Sequence, residues 1–386
     1  MINNVTDSIK YIEMDDTSIE LFENQYKVPD GITYNSYVIL DDKIAIMDTA
    51  DRNFQTEWFA DIEKVLGGRT PDYLVVSHVE PDHSGSIQFL LDKYPDITLV
   101  GNAKTFPTLN QFYSLSDYKS IVVKEGDTLS LGNHNLKFIM APMIHWPEVM
   151  VSYETEEKIL FSADAFGKFG VSKDYLEEWL DEARRYYINI VGKYGAPVSV
   201  LLKKAATLDI QKICPLHGPV LSDNLGFYID KYSTWSSYKP EEEGVLIAVA
   251  SIHGNTLNAA NKFAGILKDK GITNVSVIDL ANGDITEAVS LAFKYDKLVV
   301  AAASYDGGVF PCMLNFLNLL SSKAYQNRTV GIIENGSWAP SAMRTMKPII
   351  ESYKNINLIE TSVTIKSSLT DKNIEELNAL ADELIK

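Results

Sequence analysis

The sequence predicts two α/β parts in series: a sheet sandwich flanked by helices, then a doubly wound parallel sheet of five strands. Three observations lead there. Residues 1–243 are rich in short apolar runs with helical segments set between them. The stretch YSTWSSYKPEEE (232–243) is polar, carries Pro240 and three consecutive acidic residues, and reads as a linker. Beyond it, five apolar runs alternate with helix-periodic segments up to the last residues, the pattern of a parallel sheet with crossover helices. The expected domains are therefore 1–243 and 244–386.

In the first part, TYNSYVIL (33–40) and KIAIMDTA (43–50) are strand-like runs around Asp41-Asp42, a plausible hairpin. A helix is expected over 54–66, with Trp58, Ile62 and Val65 at helical spacing and Gly67-Gly68 as its stop. Tyr73–Val76 reads as a buried strand, followed by a polar loop and a helix over 85–94. A strand at 97–101 and a helix near 103–113 come next, then strands near 120–123, 135–140, 149–154 and 158–162. An aromatic-rich helix is expected from Lys173 to Lys193, a second helix to about Ala206, and a strand at Lys212–Cys214. In the second part, strands are expected at 245–251, 274–280, 297–303, 329–334 and 357–365. The helices between and after them are expected at 256–270, 284–294, 311–321, 340–353 and 371–385.

Composition narrows the function. At 386 residues, 46% hydrophobic and 23% charged, the chain is long enough for two or three domains with proper cores. A formal charge of −17 argues against a general binder of nucleic acid or anionic membrane. The N-terminus lacks the basic-then-apolar pattern of a signal peptide, and no uncharged apolar run approaches membrane-spanning length, so a cytoplasmic protein is expected. The two cysteines, Cys214 and Cys312, are far apart; they offer neither a disulfide framework nor a cysteine-ligated metal centre.

The chemistry concentrates at strand ends. His78, Glu80, Asp82 and His83 follow the run Tyr73–Val76 within one short loop. His145 lies past strand 135–140, Asp164 ends KILFSADAF, and His217 follows Lys212–Cys214. Singly, each such residue is more often a surface or hydrogen-bonding group. Seven on the strand ends of one domain instead point to a metal site, because buried imidazoles and carboxylates cost desolvation unless a cation gathers them. His134 and His253 read as non-ligands.

The second part suggests a phosphate and a flat ring. The loop Ser251-Ile252-His253-Gly254-Asn255-Thr256 joins a strand to a helix N-terminus, where side-chain donors and backbone N–H groups converge. Two further loops follow strands: Ala303-Ser304-Tyr305-Asp306-Gly307, with glycine for close approach, and Asn335-Gly336-Ser337-Trp338. Tyr305 and Trp338 would lie against an aromatic ligand at the switch point of the sheet. No GxGxxG occurs, so a dinucleotide site is not supported.

The pattern His-x-Glu-x-Asp-His followed by distant His, Asp and His resembles the metallo-β-lactamase superfamily, an αββα sandwich with a two-metal site. Hydrolases of that superfamily usually carry His where this chain has Glu80; a third carboxylate favours iron over zinc. The second domain resembles flavodoxin, which implies FMN. Together, YNSYVI (34–39), HVEPDHSGS (78–86), HWPEVM (145–150), SADAF (162–166), PLHGP (215–219) and the three flavin loops resemble the flavodiiron proteins over essentially the whole chain.

That resemblance implies His78, Glu80 and His145 on one iron, Asp82, His83 and His217 on the other, and Asp164 bridging. It implies reduction of O2 to water or of NO to N2O, electrons from a small carrier such as rubredoxin, and a head-to-tail homodimer or a dimer of dimers. The class expected is the one without a rubredoxin domain. Ala302-Ala303-Ser304 stands where Ser-Pro-Thr is frequent in the family. Trp146, Met150 and Phe166 are the candidates for choosing between the gases. The alternative function is a zinc hydrolase with a flavodoxin-like appendage.

Overall fold

The computed structural model describes residues 1–115, 118–171 and 176–386. It divides into two compact units, 1–187 with 196–233, and 188–195 with 234–386.

The first unit is built on two sheets. One has seven strands in the order Ile2–Asn4, Ile9–Asp16, Ile32–Ile39, Ala45–Met47, Tyr73–Val75, Thr98–Asn102 and Ser120–Val123. Its first four strands pair antiparallel, and from Ala45–Met47 onward the pairing is parallel. The other sheet orders Thr128–Ser130, Asn135–Met140, Met150–Glu154, Ile159–Phe161 and Lys212–Cys214, antiparallel except for the last pair. A single apolar cluster joins the sheets, with Ile9, Tyr37, Met47 and Val100 from one and Phe138, Met150 and Phe161 from the other. The expected sandwich is therefore present. Its N-terminal strands and Thr128–Ser130 went unanticipated, because their alternation is short and mixed with charge.

Two expectations need correction. The helix expected from Lys173 begins, among the described residues, at Leu176 and is regular only to Tyr186. A π-turn at Tyr187–Val191 and a 3₁₀ turn at Gly192–Tyr194 follow before the helix Gly195–Ala205; residues 173–175 of that expectation lie outside the described residues. The polar stretch 232–243 is not a linker throughout. The helix Leu225–Ser236 runs into it and a strand starts at Glu242. Tyr228, Tyr232 and Trp235 recur at helical spacing and are buried, so one apolar face outweighs the polar residues around it.

The second unit holds five parallel strands in the order Val275–Asp279, Glu242–Ala250, Tyr295–Tyr305, Thr329–Asn335 and Asn357–Ile365. A short strand, Gly308–Val309, folds back on Tyr305. In chain order this is 2-1-3-4-5, the doubly wound flavodoxin-like arrangement, with its switch point between the first and third strands. Helices Asn255–Asp269 and Asp371–Leu384 contribute Phe263, Leu267, Leu377 and Leu380 to the core on one face. Helices Ile285–Lys294, Pro311–Ser322 and Ala342–Glu351 pack together on the other. Among the described residues no helix is long and apolar enough to cross a membrane.

Candidate metal centre and flavin pocket

All seven predicted metal-ligating residues converge where strands of both sheets end. His78 lies just past Tyr73–Val75, and Asp82 and His83 sit in the one-turn helix Pro81–Ser84. Gly85 closes that turn; a Cβ there would lie 2.5 Å from the Pro81 carbonyl and 2.7 Å from the Arg52 nitrogen, so only glycine fits. His145 occupies the connection between Asn135–Met140 and Met150–Glu154, Asp164 follows Phe161, and His217 follows Cys214.

The seven fall into two groups, His78, Glu80, His145 and Asp164 in one, and Asp82, His83 and His217 in the other. In the first, His145 Nε2 is 2.8 Å and His78 Nε2 3.1 Å from Glu80 Oε2. In the second, Asp82 Oδ2 is 3.2 Å from His83 Nε2 and 3.3 Å from His217 Nε2. Asp164 serves both. Its Oδ2 faces His145 at 3.2 Å and His78 at 3.4 Å, while its Oδ1 faces His83 at 3.3 Å.

Outer partners turn the rings inward. His217 Nδ1 donates to the Thr33 carbonyl at 2.6 Å, and His78 Nδ1 meets Glu148 Oε1 at 2.9 Å. Each Nε2 is thereby left to point at the cluster, as a metal-ligating imidazole requires. Glu148 is fully buried and also accepts the Val79 N–H at 3.0 Å. Asp48, equally enclosed, accepts the Ser77 N–H at 2.7 Å and so braces the strand end that carries His78.

Electrostatics is the cost of this gathering. Burial alone would raise the Asp164 carboxyl, yet the imidazoles of His78, His145 and His83 hold it well below the usual carboxylate range. Burial likewise opposes ionisation of Glu80, and His145 and His78 overcome it, bringing that carboxyl down to about 2. Burial disfavours a charged His145, but Asp164 and Glu80 raise it to about 9. Without a cation, protons on the histidines must balance the carboxylates.

The predicted flavin loops also come together, at the C-terminal ends of the second unit's strands. They line a pocket of about 560 Å³ with Ile252, His253, Asn255, Thr256, Ala303–Gly307 and Asn335–Trp338. Ser251 and Gly254 do not line it. Ser251 Oγ instead accepts the Gly254 N–H at 3.1 Å, and Gly254, with φ +85°, sets the start of the 15-residue helix Asn255–Asp269. Ala339, Ser341 and Ser367 join the lining unpredicted. Ser304 Oγ accepts the N–H groups of Ser341 and Ala342 at 2.8 and 3.2 Å, leaving its own hydrogen to donate. Trp338 is 92% exposed and Tyr305 46% exposed, two large rings at the pocket with no core of their own.

Comparison with known proteins agrees. The family model described as "ODP family beta lactamase" matches residues 32–218. A nitric oxide reductase of Moorella thermoacetica is 27% identical over 94% of this chain and 92% of that protein. A mutant of the flavo di-iron protein from Thermotoga maritima superposes with a TM-score of 0.90 at 25% identity, covering 100% of this chain and 98% of that one. Over its whole length the chain is similar to flavodiiron proteins. The fold is shared as well with the rubredoxin:oxygen oxidoreductase of Desulfovibrio gigas, at a TM-score of 0.92, 24% identity and coverage of 100% and 98%. The family is one of oxidoreductases, and its cofactors are FMN and a diiron centre.

The residues present fit these groups. At the metal cluster, His83 Nε2 and His217 Nε2 lie 3.1 Å apart, converging on one point. Asp82 Oδ1, His83 Nδ1 and Asp164 Oδ1 are buried without hydrogen-bond partners. Imidazole with three carboxylates is a donor set that suits ferrous and ferric iron. At the pocket, Gly336 lets two of the lining loops pack closely. A Cβ on Gly336 would lie 2.8 Å from Pro340 Cα and 2.9 Å from Ser304 Oγ.

Sequence reasoning missed Glu148, which it quoted inside HWPEVM without a role; a carboxylate three residues after His145, beside a proline turn, was the available signal. Of the three residues expected beside the cluster, one has its ring against a predicted ligand. Trp146 does pack edge-on against His78 at 5.3 Å. Met150, however, is in the core between the sheets, and Phe166 stacks on Tyr232 at 4.2 Å. The rings that surround His217 are Tyr186, Phe22 and Tyr34, at 5.4, 5.5 and 6.1 Å.

Proposed function

We propose that this protein reduces a diatomic gas, O2 to water or NO to N2O, at a diiron site held by the seven clustered residues. The observation that carries the reading is Asp164, whose two oxygens face the two ligand groups. Such a carboxylate is built to bridge. His78, Glu80 and His145 would hold one iron, and Asp82, His83 and His217 the other, with Asp164 between them. An iron pair held there would supply two electrons and Lewis acidity toward the diatomic.

The chain's own residues supply position and environment. Glu148 and the Thr33 carbonyl keep His78 and His217 in the tautomer that presents Nε2. Burial, then Asp164 and Asp82, hold the Tyr186 phenol protonated, so it adds a neutral wall and not a competing anion. Phe22 packs on His217 and excludes bulk water there. In the second unit, Asn255, Thr256 and the helix N-terminus would hold the FMN phosphate, with Tyr305 and Trp338 beside the ring system. A small external carrier such as rubredoxin would supply the electrons, and the assembly would be a head-to-tail homodimer.

Anaerobically reduced protein, with and without FMN, mixed with one gas at a time tests the reading. The expected preparation carries two irons and one FMN per chain. Flavin-free protein with two ferrous ions converts NO once, which needs two electrons, and stalls on O2, which needs four. A preparation holding zinc and no flavin, inert to both gases, defeats the proposal and favours a hydrolase. Complete four-electron reduction of O2 by the flavin-free site defeats the division of labour alone.

A further inference from the structure

The five-stranded sheet carries a second cluster of ligating side chains at its opposite end. Strands Asn135–Met140 and Ile159–Phe161 run toward the seven-residue cluster, and Met150–Glu154 runs away from it. His134 immediately precedes the first of these strands, Glu154 ends the third, and Glu157 lies in the turn before Ile159. At about 3.3 Å per residue, five- and six-residue strands separate the two clusters.

We infer that His134, Glu154 and Glu157 form a third cation site, for a divalent first-row ion of the Zn²⁺ class. Each offers one ligand atom, and these atoms lie within 4.8 Å of one another. His134 is 7% exposed and Glu154 fully buried. The His134 Nδ1 is buried and makes no hydrogen bond, although it lies 3.1 Å from Glu154 Oε1. A buried ring nitrogen that stands 3.1 Å from a carboxylate oxygen without hydrogen-bonding to it fits two ligands set around one ion.

Outer contacts fix all three residues in place. Glu154 accepts the N–H groups of Glu156 at 2.9 Å and Glu157 at 2.7 Å. Glu157 Oε2 accepts from Thr6 Oγ1 at 2.6 Å and Ser8 Oγ at 3.3 Å. The His134 backbone N–H donates to Asp41 Oδ2 at 2.6 Å. Charge supports the same conclusion: two carboxylates around one imidazole stay net negative even with the ring protonated. The donor set decides the ion. An imidazole with carboxylates suits a borderline divalent metal, whereas calcium and magnesium favour oxygen alone. The ion would fasten two turns of the sheet to the N-terminal segment through Glu157, and the site shares no residue with the proposed diiron centre.

The test uses the full chain loaded with iron and FMN, incubated with Zn²⁺ and desalted, with zinc and iron measured in one sample. One zinc per chain is expected above unchanged iron, with a higher thermal midpoint. Glu157→Gln keeps an acceptor for Thr6 and Ser8 but removes the charge; it should weaken zinc uptake at least about tenfold with iron intact. His134→Ala should abolish uptake. No zinc beyond the iron sites in the unmutated protein, zinc gained only as iron is lost, or uptake unaffected by both substitutions overturns the site. The first result would leave only the direct contact between His134 Nδ1 and Glu154 Oε1.

Discussion

The candidate metal cluster and the candidate flavin pocket solve opposite problems with opposite materials. The cluster packs three carboxylates and four imidazoles into largely buried space, drawn from four connections at the ends of strands. The pocket is open, lined by three consecutive-residue loops, small side chains and two exposed rings. Charge in a low-dielectric interior must be balanced atom by atom, so every member of the first site depends on the others. A flavin brings its own ring and phosphate, so the second site needs mostly room and backbone donors. Damage should therefore spread in the first and remain local in the second.

The largest effect tests that spread. Asp164→Ala removes the group facing both ligand sets and should lower iron affinity by roughly 100-fold or more, ending turnover while FMN stays bound. Metal analysis and flavin absorbance on one sample decide it; normal iron with normal turnover would remove Asp164 from the site. Glu80→His comes next, since it replaces a hard anionic donor by a neutral one. The variant grown with both metals present is expected to take zinc in place of iron. Unchanged iron loading would mean that Glu80 does not select the metal.

Glu148→Gln probes whether positioning matters as much as ligation. The amide keeps the shape but weakens the hold on His78, and iron affinity should fall by about 10- to 100-fold, measured by chelator competition. If affinity is untouched, the outer partner is ornamental. Gly336→Ala carries the comparison into the other unit. Its Cβ would crowd Pro340 and Ser304, and overpacking of about 1–3 kcal/mol should weaken FMN by roughly tenfold or more without loss of iron. Iron loss in that variant would break the claim that the flavin site fails locally.

The smallest effect concerns the cysteines, one in each unit. Burial pushes the Cys214 thiol far up, while Cys312 is only half-buried and less shifted. Alkylation of native protein should label Cys312 and spare Cys214, as read by mass spectrometry. Equal labelling would show that the core beneath the metal ligands opens readily.

Much of this was legible in the sequence because local pattern and local structure coincide. The five strands of the second unit obey a strand–loop–helix rhythm in which three of the loops already hold the expected ligand chemistry. Lys212–Cys214 and Asn357–Ile365 fall where expected. The linker reading failed because Tyr228, Tyr232 and Trp235 form a buried stripe whose value depends on what lies opposite. Phe166 was expected at the cluster by adjacency to Asp164, yet neighbouring residues need not share a face: its ring went to Tyr232.

By itself the sequence determined which residue types were available to ligate, that they lie at strand ends, and that a third carboxylate makes the site anionic. These are consequences of chemistry carried by single residues and of periodicities that need only near neighbours. Only the tertiary structure decided that Asp164 presents one oxygen to each ligand group, that Glu148 and Thr33 turn the imidazoles inward, and that His134 stands with Glu154 and Glu157. Such facts depend on two sheets meeting and on residues far apart in the chain coming within hydrogen-bond distance. No local pattern encodes them, because the partner in each case arrives from another part of the fold.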